Sequence, residues 1–229
     1  MTLILAIPTT EGIVMASDGQ ITSGMIRSAG SKIYRLNDRC LWSASGELAL
    51  IQRVQERLTS LPNAPLLNLR DQIGQIITQC VGELLGMDFR TRFLPQDPNV
   101  LLQLHPADFV FAEANPRQCI LHILAHGTPE WIEGRPFATG SGEPFAYALL
   151  QKYHGRQLNL NQASLLAYKV IDEAIEVGAY GLGPPIDIWN IRPDGLRQFG
   201  ESDRAALADA CRTLREAEVQ LLLQGSCSQ

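Results

Sequence analysis

Thr2, Asp18 and Lys32 are the side chains of this sequence whose types and placement suggest covalent chemistry. A small second residue permits removal of the initiator methionine, which would leave Thr2 at the N-terminus. An N-terminal threonine carries its own base. The free α-amine, with an ordinary pKa of about 7.7–8.0, can take the hydroxyl proton, usually through a water. Such a nucleophile is one of the convergent variants of the serine triad. It needs a cation nearby to hold the amine neutral and to favour ionisation of the hydroxyl. The chain has sixteen arginines and only three lysines, and Lys32 supplies a compact, adjustable charge. Asp18 is placed to pair with it. Each residue is ordinary alone, and the weight lies in the combination.

Other groups point to less. His105, His122, His126 and His154 do not cluster with carboxylates at metal-ligand spacing. His122 and His126, four apart in an expected strand, would share a face without converging. Neither a metal nor a cofactor is expected. Gly140-Ser141-Gly142 lacks the glycine spacing and the lysine of a phosphate loop. Gly181-Leu182-Gly183-Pro184-Pro185 reads as the end of a helix and a turn of the chain.

Hairpins and helix pairs must position these residues. Leu3–Ile7 and Gly12–Ser17 are β-rich runs around a Pro8–Glu11 turn, and Ile33–Leu36 and Cys40–Ser45 repeat the pattern. The polar stretch from Gln20 to Ser31 reads as an exposed loop. Leu48, Ile51, Val54 and Leu58 form one helical stripe, and Leu69, Ile73, Ile76, Ile77, Cys80 and Leu84 a longer one, with Asn68 as its expected cap. A polar connection from Arg90 to Asn99 leads to a hairpin of Asp108–Ala114 and Cys119–Ala125. The small-residue loop at residues 138–144 opens a helix through Tyr153, and a further helix begins at Asn161. Ile186–Ile191 and Leu196–Phe199 make a last hairpin, and Ser202–Leu223 a terminal amphipathic helix. Antiparallel hairpins with paired helices argue for layered α+β, two sheets face to face with a helix pair outside each.

The chain of 229 residues has 24 acidic and 19 basic residues and a net charge of -5, against the basic footprint that nucleic-acid binding demands. With no linker or internal repeat, one domain is expected. Charged residues are 19%, below the roughly 25% of typical soluble domains, in keeping with a surface partly covered by other subunits. Cys40, Cys80, Cys119, Cys211 and Cys227 are odd in number and scattered, which fits a reducing, cytoplasmic compartment without disulfides. The apolar N-terminus lacks a basic flank and is cut short by Pro8, so neither a signal peptide nor a membrane span is expected.

Together these residues resemble the proteasome β subunits and the bacterial HslV-type peptidases. Thr2-Leu3-Ile4-Leu5-Ala6-Ile7 and the run from Gly12 to Thr22 resemble the start of a mature β subunit, Asp18-Gly19-Gln20 being most similar to the HslV type. Ser31-Lys32-Ile33-Tyr34 resembles the segment bearing the family's catalytic lysine, Ser45-Gly46 its oxyanion glycine, and Thr139-Gly140-Ser141-Gly142 its serine loop. Pro184-Pro185-Ile186-Asp187-Ile188 is similar to its late strand. The resemblance runs to about Phe199, and the helix after Ser202 has no counterpart in the shortest bacterial members. The loop Ala179-Tyr180-Gly181-Leu182-Gly183 also departs from the β subunits, which carry an orienting aspartate and serine there.

The resemblance implies a four-layer αββα N-terminal nucleophile hydrolase domain over residues 1–200, with residues 201–229 as its C-terminal helical extension. It implies Thr2 as nucleophile, Lys32 as the group tuning it, Asp18 holding Lys32, Gly46 facing the oxyanion and Ser141 beside the amine. Ile21, Thr22, Gly30, Tyr34, Ala44 and Leu48 would line the specificity pocket, suited to apolar residues. The implied activity is a threonine-type endopeptidase acting on polypeptide within a homo-oligomeric ring, stacked as a double ring and served by an ATPase unfoldase. Two other readings stay open: a catalytically silent structural ring subunit, and an amidohydrolase of the same nucleophile class acting on a small amide.

Overall fold

The computed structural model describes residues 2–23, 26–84, 107–124, 129–153, 155–178 and 181–225. Strands β1 (Ile4–Pro8) and β2 (Ile13–Ser17) form the first hairpin, followed by the short strands β3 (Gln20–Ser23) and β4 (Ile26–Ala29). Strands β5 (Ile33–Arg35) and β6 (Cys40–Gly46) precede helices α1 (Leu48–Leu58) and α2 (Leu66–Glu83). Four strands come next: β7 (Ala107–Glu113), β8 (Cys119–Leu124), β9 (Glu130–Ile132) and β10 (Phe137–Thr139). Helices α3 (Glu143–Leu150) and α4 (Leu160–Glu176) lead to strands β11 (Asp187–Arg192) and β12 (Gly195–Gln198) and helix α5 (Glu201–Gln224).

Two antiparallel five-stranded sheets result. The first has the order β10-β1-β2-β11-β12 and the second β5-β6-β7-β8-β9. Period-two alternation decides what each side chain meets. In β6, Cys40, Trp42 and Ala44 face α1 and α2, whereas Leu41 faces the other sheet. In β1, Leu5 and Ile7 face the α3/α4 layer, and Ile4 and Ala6 face the sheet interface. Three buried apolar layers therefore separate four layers of secondary structure, the αββα sandwich expected from the hairpin-and-helix order. Each fully buried Leu, Ile or Phe in them contributes about 1.5–3 kcal/mol.

Local departures from the sequence reading have physical causes. The stretch from Gln20 to Ser31, read as a loop, contains the β3–β4 ribbon, paired from Gln20↔Ala29 to Ser23↔Ile26. All four β4 residues are exposed, so that strand leaves no apolar alternation to read. Helix α2 starts at Leu66, ahead of the expected cap Asn68. Its first N–H is served from elsewhere: the buried carboxylate of Glu113, at the end of β7, accepts from Leu66 N at 2.6 Å. The three-residue strands β9 and β10 were missed because runs that short carry no period. The connection from Arg90 to Asn99 lies outside the described residues, as do His105, His126, His154 and Cys227.

Candidate active site

Thr2 stands at the head of β1, a strand held on both sides by β2 and β10. It is 8% exposed. Its N–H donates to Ser141 Oγ at 3.1 Å, and that hydroxyl lies 3.3 Å from the Thr2 carbonyl oxygen. Ser141 is delivered by the turn between β10 and α3. Gly140 in that turn has φ +99, and a Cβ there would lie 2.2 Å from the Thr2 carbonyl oxygen, so only glycine lets the loop close on the strand.

Asp18 follows β2 and is completely buried. Its Oδ1 accepts from Leu3 N at 3.0 Å and from Lys32 Nζ at 2.7 Å. Its Oδ2 accepts from Gln20 N and Gly183 N, both at 3.3 Å. Four donors on one carboxylate satisfy the requirement that a buried charge be paired and hydrogen-bonded. Lys32, just before β5, is itself buried. Its carbonyl accepts from Ser43 Oγ at 2.7 Å, and the preceding Ser31 donates to Asp187 at 2.7 Å, so the lysine is held from both sides. Burial lowers the Lys32 pKa below the ordinary lysine range, and the attraction of Asp18 offsets only part of that. The ammonium is therefore easier to deprotonate than one in water.

Thr2 and Lys32 border a pocket of about 70 Å³, lined also by Gln20, Ile21, Tyr34, Ala44, Gly46, Leu48 and Ile51. Of the expected lining residues, Ile21, Tyr34, Ala44 and Leu48 are present. Gly30 is not; it backs onto Ile21, whose Cδ1 would lie 2.4 Å from a Cβ at position 30, so the isoleucine screens it. Thr22 pairs with Arg27 in the β3–β4 ribbon, and its side chain lies outside what the structure describes. Gln20 and Ile51 belong to the lining and were missed. Ile51 lies one helical turn after Leu48, a spacing that could have found it. Gly46 closes β6 with φ +133, a conformation L side chains rarely adopt.

The segment after α4 reaches the site through its backbone. Ala179 and Tyr180 lie outside the described residues. Gly183 N donates to Asp18, Gly183 O accepts from Gly19 N at 2.9 Å, and Gly181 O accepts from Gln20 Nε2 at 2.6 Å. Main-chain groups have no residue signature, so sequence reading missed them. Among the described residues, no group of three His, Cys, Asp or Glu side chains is placed to hold a metal ion.

The sandwich with a threonine heading a central strand is the N-terminal nucleophile hydrolase fold. It superimposes on Anbu (ancestral beta-subunit) from Yersinia bercovieri with a TM-score of 0.74 over 97% of both chains, at 15% identity. At 28% identity, the chain is similar to proteasome subunit beta 1 of Pyrobaculum calidifontis over 86% of its own length and 94% of that protein. It is 24% identical to proteasome subunit beta 2 of Nitrosopumilus maritimus, covering 91% of this chain and 94% of the relative. The family model described as proteasome subunit matches residues 2–63, which contain Thr2, Asp18, Lys32 and Gly46. These similarities support membership of the proteasome β-subunit family.

Proposed function

We propose that the protein is a threonine-type endopeptidase whose nucleophile is Thr2, released by removal of Met1. The observation that carries this reading is that Thr2 and Lys32 line one pocket, with Ser141 bonded to the Thr2 N–H and Asp18 to Lys32. The Thr2 hydroxyl passes its proton to the α-amine while Oγ bonds to the substrate carbonyl carbon. The oxyanion that forms is received by the Gly46 N–H, a kind of donor whose loss costs about 2.7–4 kcal/mol. The ammonium returns the proton to the leaving amine as the C–N bond breaks, and water hydrolyses the ester. Lys32 holds the amine neutral, Asp18 holds Lys32, and Ser141 orients the amine. The lining by Ile21, Ala44, Leu48 and Ile51 supports cleavage after apolar residues.

Residues 1–200 act as the peptidase domain and 201–229 as its extension. We place this subunit in the cytoplasm, in rings of identical copies stacked in pairs. Such rings close through heterologous contacts and confine the nucleophile to a chamber that an ATPase unfoldase could feed. Thr2→Ala and Lys32→Ala each abolish hydrolysis of apolar peptide amides while the fold survives, and their losses do not add, because the residues act as a unit. Near-normal turnover in Lys32→Ala removes the lysine from the mechanism. Light scattering is expected to show particles of at least a hexamer; a stable monomer or dimer at micromolar concentration overturns the ring. A second reading, a silent ring subunit, is favoured by the absence of the family's orienting aspartate and serine after α4. Wild-type protein beginning at Thr2 yet inert would establish it.

A further inference from the structure

The site is divided between two sheets. Thr2 and Asp18 belong to the first sheet and its connections, whereas Lys32 leads into the second and Gly46 ends a strand of it. The Lys32–Asp18 pair ties the sheets together on one flank. On the other flank, Thr139 Oγ1 on β10 donates to Asp108 Oδ2 on β7 at 2.9 Å.

Both ends of that bond are one or two residues from the proposed machinery. Thr139 pairs with Ile4 and is followed by Gly140, pressed against the Thr2 carbonyl, and by Ser141, which receives the Thr2 N–H. Asp108 is the cross-strand partner of Ser45, and its neighbour Ala107 is the partner of Gly46. A carboxylate is an uneconomical way to join two apolar sheets if stability alone is at stake, since a well-packed apolar pair does as well or better. It also leaves loose ends. Asp108 Oδ1 and His122 Nε2 are buried 3.9 Å apart, and neither has a hydrogen-bond partner among the described residues. Violations of this kind concentrate where geometry serves function.

We infer that Asp108 is a positioning residue which, through Thr139, sets the distance between the Thr2 nucleophile and the backbone donor at Gly46. The inference rests on the peptidase reading above. Small errors here are costly, because a displacement of about 1 Å at a reacting group can lower the rate on the order of 100-fold.

The test compares Thr139→Val, which removes the hydroxyl and keeps the shape, with Thr139→Ser, which keeps the hydroxyl. Asp108→Asn is measured alongside. Steady-state hydrolysis of a fluorogenic apolar peptide amide by the full chain gives kcat and KM separately, and amide exchange followed by mass spectrometry reports on residues 137–143 and on the N-terminal strand. Thr139→Val is expected to lower kcat roughly 10–100-fold with little change in KM. Exchange should rise in both segments, and Thr139→Ser should recover most of the rate. A wild-type kcat in Thr139→Val, or an equal loss in Thr139→Ser, overturns the inference, as does a lowered melting temperature with kcat intact. If the wild type itself has no turnover, the peptidase reading fails separately. The tie then stands if Thr139→Val raises exchange in both segments and falls if it does not.

Discussion

Two of the three lysines in this chain are buried among carboxylates, and they do opposite things. Lys32 meets one aspartate that three backbone N–H groups also hold, and burial leaves its pKa below the ordinary value. Lys169, on α4, meets Glu173 and Glu218; burial pulls its pKa down too, but the hydrogen bonds and charges of the two glutamates outweigh it and the pKa ends up raised. Glu218 belongs to α5, and beside it Arg215 bonds Asp172 at 2.7 Å and also Glu176. One arrangement makes a proton easy to give up. The other fixes a charge that docks the last helix. The number and exposure of the carboxylates, not the presence of an ion pair, decide which.

The largest effect that would sharpen this contrast is Asp18→Ala. It strands a buried ammonium and three N–H donors, so it should cost about 3–5 kcal/mol in denaturant unfolding and remove turnover. A loss below 1 kcal/mol would break the comparison. Lys32→Met should cost less stability, because Asp18 keeps its three backbone donors, but should cost all activity. Lys32→Arg should be inactive as well, since guanidinium keeps the charge without the adjustable proton. At the other lysine, Glu218→Gln should cost only about 0.2–1 kcal/mol and leave kcat unchanged, because Glu218 is 53% exposed and rehydrates. That cost should shrink in high salt.

The smallest effect concerns His122. Burial lowers its pKa below 6.5, and Asp108 and Glu130 oppose this only partly. The folded chain therefore takes up a proton less readily than the unfolded chain, and stability should fall as pH drops below about 6.5. His122→Gln should flatten that fall, as read from melting temperatures across pH 5–7.

What could be read in the sequence divides along the same physical line. The stripes of α1 and α4 were legible because each helix buries one face and so repeats with its own period. The hairpins β1–β2 and β5–β6 were legible because short β-rich runs, buried on both faces in β1, β2 and most of β6, are set off by turn residues. The exposed strand β4 and the short edge strand β9 have too little buried face to leave a pattern. Helix α2 took its cap from Glu113, a residue distant in sequence, so the nearby Asn68 misled. At the candidate site, Thr2, Asp18, Lys32, Gly46 and Ser141 were legible as candidates because their side chains, or the lack of one, carry the resemblance. The backbone donors on Asp18 from Leu3, Gln20 and Gly183 went unseen, since any residue but proline can supply an N–H. The tie between Asp108 and Thr139 was missed because Asp108 sits in no motif and Thr139 entered only as the first residue of the serine loop; the fold brings the two together.

The central claim is that Thr2 is a free-amine nucleophile. It is tested most directly by treating protein purified from its native cell with an acylating β-lactone and sequencing the modified peptide by tandem mass spectrometry. The account predicts an N-terminus at Thr2, with the added acyl mass on that residue in the wild type and missing in both Thr2→Ala and Lys32→Ala. A chain that retains Met1, or an acyl group found elsewhere while Thr2 stays unmodified, would contradict it.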